Sequence, residues 1–358
     1  MRATVMEVSK KEFINNIKKI KDYVGSKEIL PVIKANGYGT HINKELDILN
    51  HFNIVGVAIV DEGIDIRETG YKKDILILNQ PDISEIDEII ENDLIIGISS
   101  FEFLNELIKW KDKVKVHLEI ETGMNRTGIK LNELDDFVRI IKKHKNIVVE
   151  GIFTHLSSAD YDEKYTKKQL DIFNKAVKKI IYEFSTIKYV HSQASNGLLK
   201  YNDDCTNLVR AGLIMYGFES FPGAKEIIDF KPICKLKTKI TYLKEIDEGE
   251  AISYSQKFVS NKKMKVATIP IGYADGLRRS LLNIGEVVIH NQKVKILGTI
   301  CMDSCMIDVT DIKDVKVGDE VYIWDNENIT LDDIAEKCNT INYEILSTIS
   351  DRVPRIFK

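Results

Sequence analysis

Through the first half of the chain the apolar positions fall in short runs rich in Val and Ile. Between them lie stretches where Ile, Leu and Phe recur among Lys and Glu at helical spacing. The runs cover residues 29–34, 54–59, 75–78, 94–98, 114–120, 147–153, 189–193 and 208–210, and the helical stretches include 10–24, 131–143 and 164–184. Eight strand-then-helix units predict an α/β fold whose first part is a closed (β/α)8, TIM-like barrel. Beyond Phe230 the texture changes to alternating runs at 235–242, 265–271, 286–289, 293–300, 306–309 and 320–324, punctuated by Gly and Asp. That texture predicts a mostly β second domain, so the chain divides into a barrel over residues 1–229 and a β domain over 230–358. A late helix at 330–337 is expected to start on the capping pattern Thr330-Leu331-Asp332-Asp333.

Length agrees with this division, because 358 residues are too many for one ordinary core. With 44% hydrophobic and 30% charged residues and a net charge of -4, the composition is that of a soluble enzyme. Neither a basic patch nor a helix-turn-helix pattern is present, which argues against nucleic acid as a partner. The sequence has no run approaching ~20 apolar residues and no apolar leader, so a cytoplasmic protein without a membrane anchor is expected. Cys205, Cys234, Cys301, Cys305 and Cys338 are odd in number and scattered, which fits free thiols in a reducing compartment. Cys301 and Cys305 have the spacing of half a zinc site, but no second ligand pair follows, so strand packing is expected and no metal.

A barrel of this kind presents its reactive groups at the C-terminal ends of its strands. Those ends are polar here: Lys34-Ala35-Asn36-Gly37-Tyr38-Gly39, Glu121 to Arg126, Thr154-His155, Ser192 to Ser195 and Arg210-Ala211-Gly212. The apolar run before Lys34 is expected to bury its amine, lowering its pKa and preparing it for imine formation with an aldehyde cofactor. A lysine snorkelling at a strand end is the plainer alternative. Gly37 and Gly39 suggest a tight turn around Tyr38. The Ser195 hydroxyl with the amides of Gly212 and Leu213 can cradle a phosphate, or can simply cap loops. His155 is either a general base, an orienting group or a satisfied buried histidine.

The ordered series of motifs resembles the alanine racemase family over essentially the whole chain. Residues 31–39 look like the lysine signature for pyridoxal 5′-phosphate, 122–128 like the substrate-carboxylate segment, 151–155 like the strand-six histidine and 209–213 like the strand facing the pyridine ring. Ser253-Tyr254, Gly272-Tyr273-Ala274-Asp275-Gly276, Cys301-Met302-Asp303 and Arg352-Val353-Pro354-Arg355 resemble successive motifs of the family's second domain. The resemblance implies a homodimeric isomerase that uses two bases to interconvert L- and D-alanine. Lys34 would carry the cofactor as a Schiff base and serve one face of the substrate, while Tyr254 of the partner subunit would serve the other. A free phenol has a pKa of about 10, so Tyr254 would need tuning by His155 and Arg210.

By the same resemblance, Arg210 would pair with the pyridine nitrogen and keep it unprotonated, because a guanidinium does not readily yield a proton. Arg126 would bind the substrate carboxylate. Tyr38, Ser195, Gly212, Leu213 and Tyr343 would hold the phosphate. Met302 and Tyr273 would lie near the substrate entrance, with Asp275 and Asp303 serving either the substrate or an interface. The chain departs from the family at several points. Glu119 stands where a carbamylated lysine is common and is expected to hold Arg126 through a charge-assisted hydrogen bond. Gln193-Ala194-Ser195 and Arg210-Ala211 differ from the usual pairs, and Thr299 replaces an arginine near the entrance, leaving serine or a longer amino acid open as substrate. Two other classes resemble only part of the pattern. A related decarboxylase would offer a cysteine-bearing loop where Ser253-Tyr254 stands, and a carrier of pyridoxal phosphate would lack the second domain.

Overall fold

A computed structural model describes residues 2–358, so the first residue of the expected barrel lies outside the described residues. Eight parallel strands form the barrel: β2 (Glu28–Pro31), β3 (Ile54–Val57), β4 (Asp74–Ile77), β5 (Ile95–Ile98), β6 (Val114–Glu119), β7 (Ile147–Phe153), β8 (Tyr189–His191) and β9 (Leu208–Ala211). Strands β3 to β8 pair in sequence order, and β2 pairs with β9. The Val32↔Gly56 bridge joins β2 to β3, and the Arg210 amide donating to the Gln193 carbonyl at 2.9 Å ties β9 to the end of β8. These links close the cylinder. Both faces of such strands are covered, which is why strands such as β3, β4 and β5 read as near-continuous Val, Ile and Leu runs instead of alternating ones.

Helices between the strands follow the amphipathic stretches. Lys10–Val24 matches its predicted bounds, and Leu134–Lys142 and Glu163–Ile180 each lie within a few residues of theirs. The Glu163–Ile180 helix starts where the Asp162 side chain accepts from the Tyr165 amide at 2.9 Å, and it buries Leu170, Phe173, Val177 and Ile180 on one face.

A second compact unit gathers residues 231–358 with the stretch ending at Phe13 and with residues 38–41. Its nine-stranded sheet includes β1 (Val5–Val8), β10 (Cys234–Lys239), β11 (Tyr242–Ile246), β14 (Met264–Ile269), β15 (Glu286–Ile289), β16 (Gln292–Leu297), β17 (Cys305–Asp308), β18 (Glu320–Trp324) and β19 (Arg355–Phe357). A small hairpin, β12 (Ala251–Ile252) with β13 (Phe258–Val259), stands beside it. The segments at the start of the chain join this unit because β1 pairs antiparallel with β10 and parallel with β19. The late helix is Leu331–Lys337, and its capping box forms as expected, with the Thr330 hydroxyl accepting from the Asp333 amide at 3.1 Å. Among the described residues no helix is long and apolar enough to cross a membrane.

Candidate active site

Strand β2 ends at Pro31, and Val32 and Ile33 complete the apolar run, so Lys34 emerges beyond it with its side chain open to solvent. The expectation of a buried amine fails for that reason: the run buries its own side chains, not the residue after it. Enough protein still surrounds the amine to depress its pKa. Desolvation acts first and the Arg126 charge second, against an opposing pull from Glu62. The next residues take an unusual path. Ala35, Asn36, Gly37 and Tyr38 all lie in the left-handed region, at φ 52, 53, 59 and 53, and Gly39 follows at φ 78. Glu62, in the first turn of the helix Val60–Glu68, accepts from the Ala35 amide at 2.6 Å and from the Ala58 amide at 2.8 Å. At Gly39 a Cβ would meet the Leu346 carbonyl oxygen at 2.4 Å, so only glycine fits.

Arg210 lies at the centre of a polar array inside the barrel and is fully desolvated, which lowers its pKa to about 10 and leaves it charged at neutral pH. Its Nη1 donates to His191 Nδ1 at 2.8 Å and to the His191 carbonyl at 3.1 Å. Its Nη2 reaches the carbonyls of Thr154 and Ser192 at 2.8 and 3.0 Å and His155 Nδ1 at 3.3 Å. Because a guanidinium only donates, His191 Nδ1 must accept, and the His191 proton therefore sits on Nε2, 2.9 Å from His117 Nδ1. The same logic places the proton of His155 on Nε2. Burial first, and then nearby cations, Arg210 at His155 and His191 and Lys188 ahead of Arg210 at His117, keep these rings neutral: His155 and His117 are each lowered to about 3, and His191 falls well below its usual value. Within the Arg210 guanidinium, Nε–H is the one donor group with no hydrogen-bond partner among the described residues.

Nearby, the buried Ser195 opens the helix Ser195–Lys200, and its hydroxyl accepts from the Gly212 amide at 3.1 Å. Leu213 follows, fully buried. The loop after β6 is shaped by Glu121, whose carboxylate accepts from the amides of Gly123 and Asn125, the latter at 2.9 Å. Arg126 stands exposed at the tip of that loop, whereas Glu119 is buried at 4% exposure, its Oε2 lacking a partner among the described residues. Among the described residues no hydrogen bond or ion pair joins them, so the expected direct clasp is not formed. The reason is geometric: Glu119 points inward at the end of β6, while Arg126 stays in solvent. Desolvation raises the Glu119 pKa, with Thr127 and the charges of Arg126 and Arg210 pulling the other way.

In the β unit, Tyr38 packs against Tyr343 with ring centroids 6.1 Å apart. Burial first and Tyr343 second push the Tyr38 phenol above its ordinary range. Tyr254, Met302 and Tyr273 are exposed, at 68%, 52% and 42%. Arg352 joins two of the motifs by pairing with Asp303 at 2.7 Å and Asp275 at 3.6 Å, and Arg2 meets Asp275 at 2.7 Å. Thr299, expected at an open entrance, is buried, and its hydroxyl donates to the Tyr254 carbonyl at 3.0 Å.

Sequence reading missed Glu62, His117 and His191. The two histidines carried a signal, since each stands inside a predicted barrel strand, at 114–120 and 189–193. Glu62 carried none, since an acid in the first turn of a helix is ordinary.

Residues 8–220 match the family model for the alanine racemase N-terminal domain, and residues 233–357 match that for its C-terminal domain. An alanine racemase of Clostridium novyi (strain NT) is 37% identical over 374 aligned residues, covering 100% of this chain and 96% of the relative. The solved alanine racemase of Clostridium difficile 630 superposes with a TM-score of 0.94 at 31% identity, covering 99% of this chain and 96% of the other. That of Bacillus anthracis with bound L-Ala-P gives 0.93 at 32% identity, covering 100% and 95%.

Proposed function

Because this chain belongs to the alanine racemase family, we propose that it interconverts L- and D-alanine with pyridoxal 5′-phosphate as cofactor and Lys34 and Tyr254 as its two bases. The donor set fits that cofactor. In the barrel unit Lys34 offers an amine of lowered pKa and Ser195 with Gly212 and Leu213 offers a phosphate seat, while Tyr38 and Tyr343, packed on each other in the β unit, are the phenols that the family resemblance assigns to the phosphate. When bound, the cofactor withdraws electrons from the substrate α-carbon and so acidifies its proton.

The residues divide the remaining work. Lys34 exchanges the α-proton on one face through Nζ, and Tyr254 exchanges it on the other through its phenolic oxygen. Tyr254 comes from a second copy of the chain, which makes the working unit a homodimer. Arg126 holds the substrate carboxylate through its planar fork. His155, neutral and protonated on Nε2, offers a donor to the phenol side. Met302 and Tyr273 border the substrate's approach, and Glu119 supplies negative charge toward Arg126 and Arg210.

One observation carries the reading. Arg210 spends both terminal nitrogens on carbonyls and neutral histidines and keeps only Nε–H to offer. A charged donor fixed in that way supplies no proton to a ring nitrogen, which favours reversible proton exchange over decarboxylation. Purified protein loaded with pyridoxal phosphate should racemise L-alanine by chiral analysis, and borohydride should fix a pyridoxyl group on Lys34 by mass spectrometry. Tyr254→Phe should retain the cofactor and lose exchange by at least about a hundredfold. Cofactor binding with no racemisation of alanine, serine or any longer amino acid would overturn the proposal.

A further inference from the structure

Tyr254 stands in the loop 253–257 between β12 and β13, where the pairs Ile252↔Phe258 and Ala251↔Val259 close a hairpin. Ile252 is buried with Ile246, Met264, Val266 and Leu297, and Phe258 packs against the same cluster, so both ends of the loop are anchored. Between those anchors the backbone is strained. Ser253 has φ 66 and ψ -171, a region populated almost solely by glycine, and Ser255 and Gln256 have φ 61 and 48. Three residues of positive φ flanking one tyrosine persist only if the surroundings impose them. The Tyr254 side chain is itself exposed and has no hydrogen-bond partner among the described residues. Its position is therefore set by the backbone that carries it.

Two cross-links impose that backbone. The Ser253 hydroxyl donates to the Thr299 carbonyl at 2.6 Å, and the buried Thr299 hydroxyl donates back to the Tyr254 carbonyl at 3.0 Å. At the far end, Asn283 donates through Nδ2 to the Lys257 carbonyl at 3.0 Å and accepts through Oδ1 from the Gly298 amide at 2.7 Å. The two segments run so close that a Cβ on Gly298, itself at φ +67, would lie 2.6 Å from the Ile252 carbonyl oxygen. From this bracket we infer that Thr299 and Asn283 are positioning residues for Tyr254, holding the strained loop in the one shape that presents its phenol. The inference rests on Tyr254 being one of the two bases. It also gives Thr299 a role as a tether, where its place in the sequence suggested only a lost charge.

Thr299→Val keeps the side-chain shape and removes the donor. In the loaded enzyme, kcat should fall about 10- to 100-fold in both directions, with KM for alanine and borohydride fixation on Lys34 unchanged. Thr299→Ser, which keeps the hydroxyl, should restore most of the rate, and Asn283→Ala should resemble Thr299→Val. Amide hydrogen exchange over residues 253–257 should quicken in Thr299→Val and Asn283→Ala and not in Thr299→Ser. This readout needs no activity. A Thr299→Val enzyme with wild-type kcat overturns the inference whether or not exchange quickens, as does a loss that Thr299→Ser fails to rescue. Normal racemisation by Tyr254→Phe instead overturns the base assignment, which separates the two failures.

Discussion

At the scale of single residues, the array around Arg210 shows how one buried charge sets the protonation of its neighbours. Arg210 can only donate, so each histidine nitrogen it meets must accept, and the order of protons along Arg210, His191 and His117 follows. The final donor, His117 Nε2, is buried without a partner among the described residues, so protonating this ring would place a second cation in a desolvated space already holding Arg210. The consequence for stability has a definite sign. His117 has a pKa of about 3 in the fold and about 6.5 when unfolded, so between those values only the unfolded chain takes up the proton. Stability from this site is complete above about pH 6.5 and declines as the pH falls toward about 3. At pH 5 the loss amounts to about 2 kcal/mol. Denaturant midpoints between pH 5 and 7 should therefore fall more steeply for the natural chain than for His117→Gln. Equal slopes would show that His117 is not the titrating group.

At the scale of elements, the turn after β2 is costly on its own. Left-handed backbone at Ala35, Asn36 and Tyr38 costs roughly 1–2 kcal/mol per residue. Local bonds such as Gly37 N–H to the Ile33 carbonyl at 3.0 Å offset part of this, and Glu62 supplies a charge-assisted bond to Ala35. Glu62→Gln has almost the same shape but turns one acceptor into a donor, leaving an amide at Ala35 or Ala58 unpaired. We expect a loss of about 1–3 kcal/mol in unfolding free energy. A second effect has the opposite character. Glu62 holds the Lys34 pKa up, so removing its charge should move imine formation with pyridoxal phosphate to lower pH. An unchanged pH midpoint for Lys34 modification would separate Glu62 from the lysine and leave it a purely structural cap.

At the scale of the whole molecule, the β unit draws on stretches far apart in sequence, and Arg355 shows what that connectivity does. On β19 its guanidinium donates to the carbonyls of Gly39, Ile349, Ser350 and Val353 at 2.6–2.8 Å, fixing the C-terminal strand to the segment that follows the lysine turn. Arg355→Ala should lower the urea midpoint by an amount equivalent to about 2–4 kcal/mol, since four carbonyls lose a charged partner at once. A midpoint within about 0.5 kcal/mol of the natural chain would show that water replaces the side chain at no cost. Much of this molecule was already legible in its sequence. Barrel strands, their helices and the Thr330 capping box followed from periodicity and capping chemistry, which act over a few residues and leave their mark on neighbouring positions. The chemistry-bearing strand ends were legible for the same reason, because a barrel fixes where its strands terminate. Tertiary structure alone decided the rest: β1 joining the C-terminal sheet, Arg210 reaching across to Thr154 and His155, Lys34 open to solvent, Glu119 apart from Arg126, and Thr299 beneath the Tyr254 loop. These depend on which distant segments the closed fold brings within bonding distance, and no local pattern encodes that proximity.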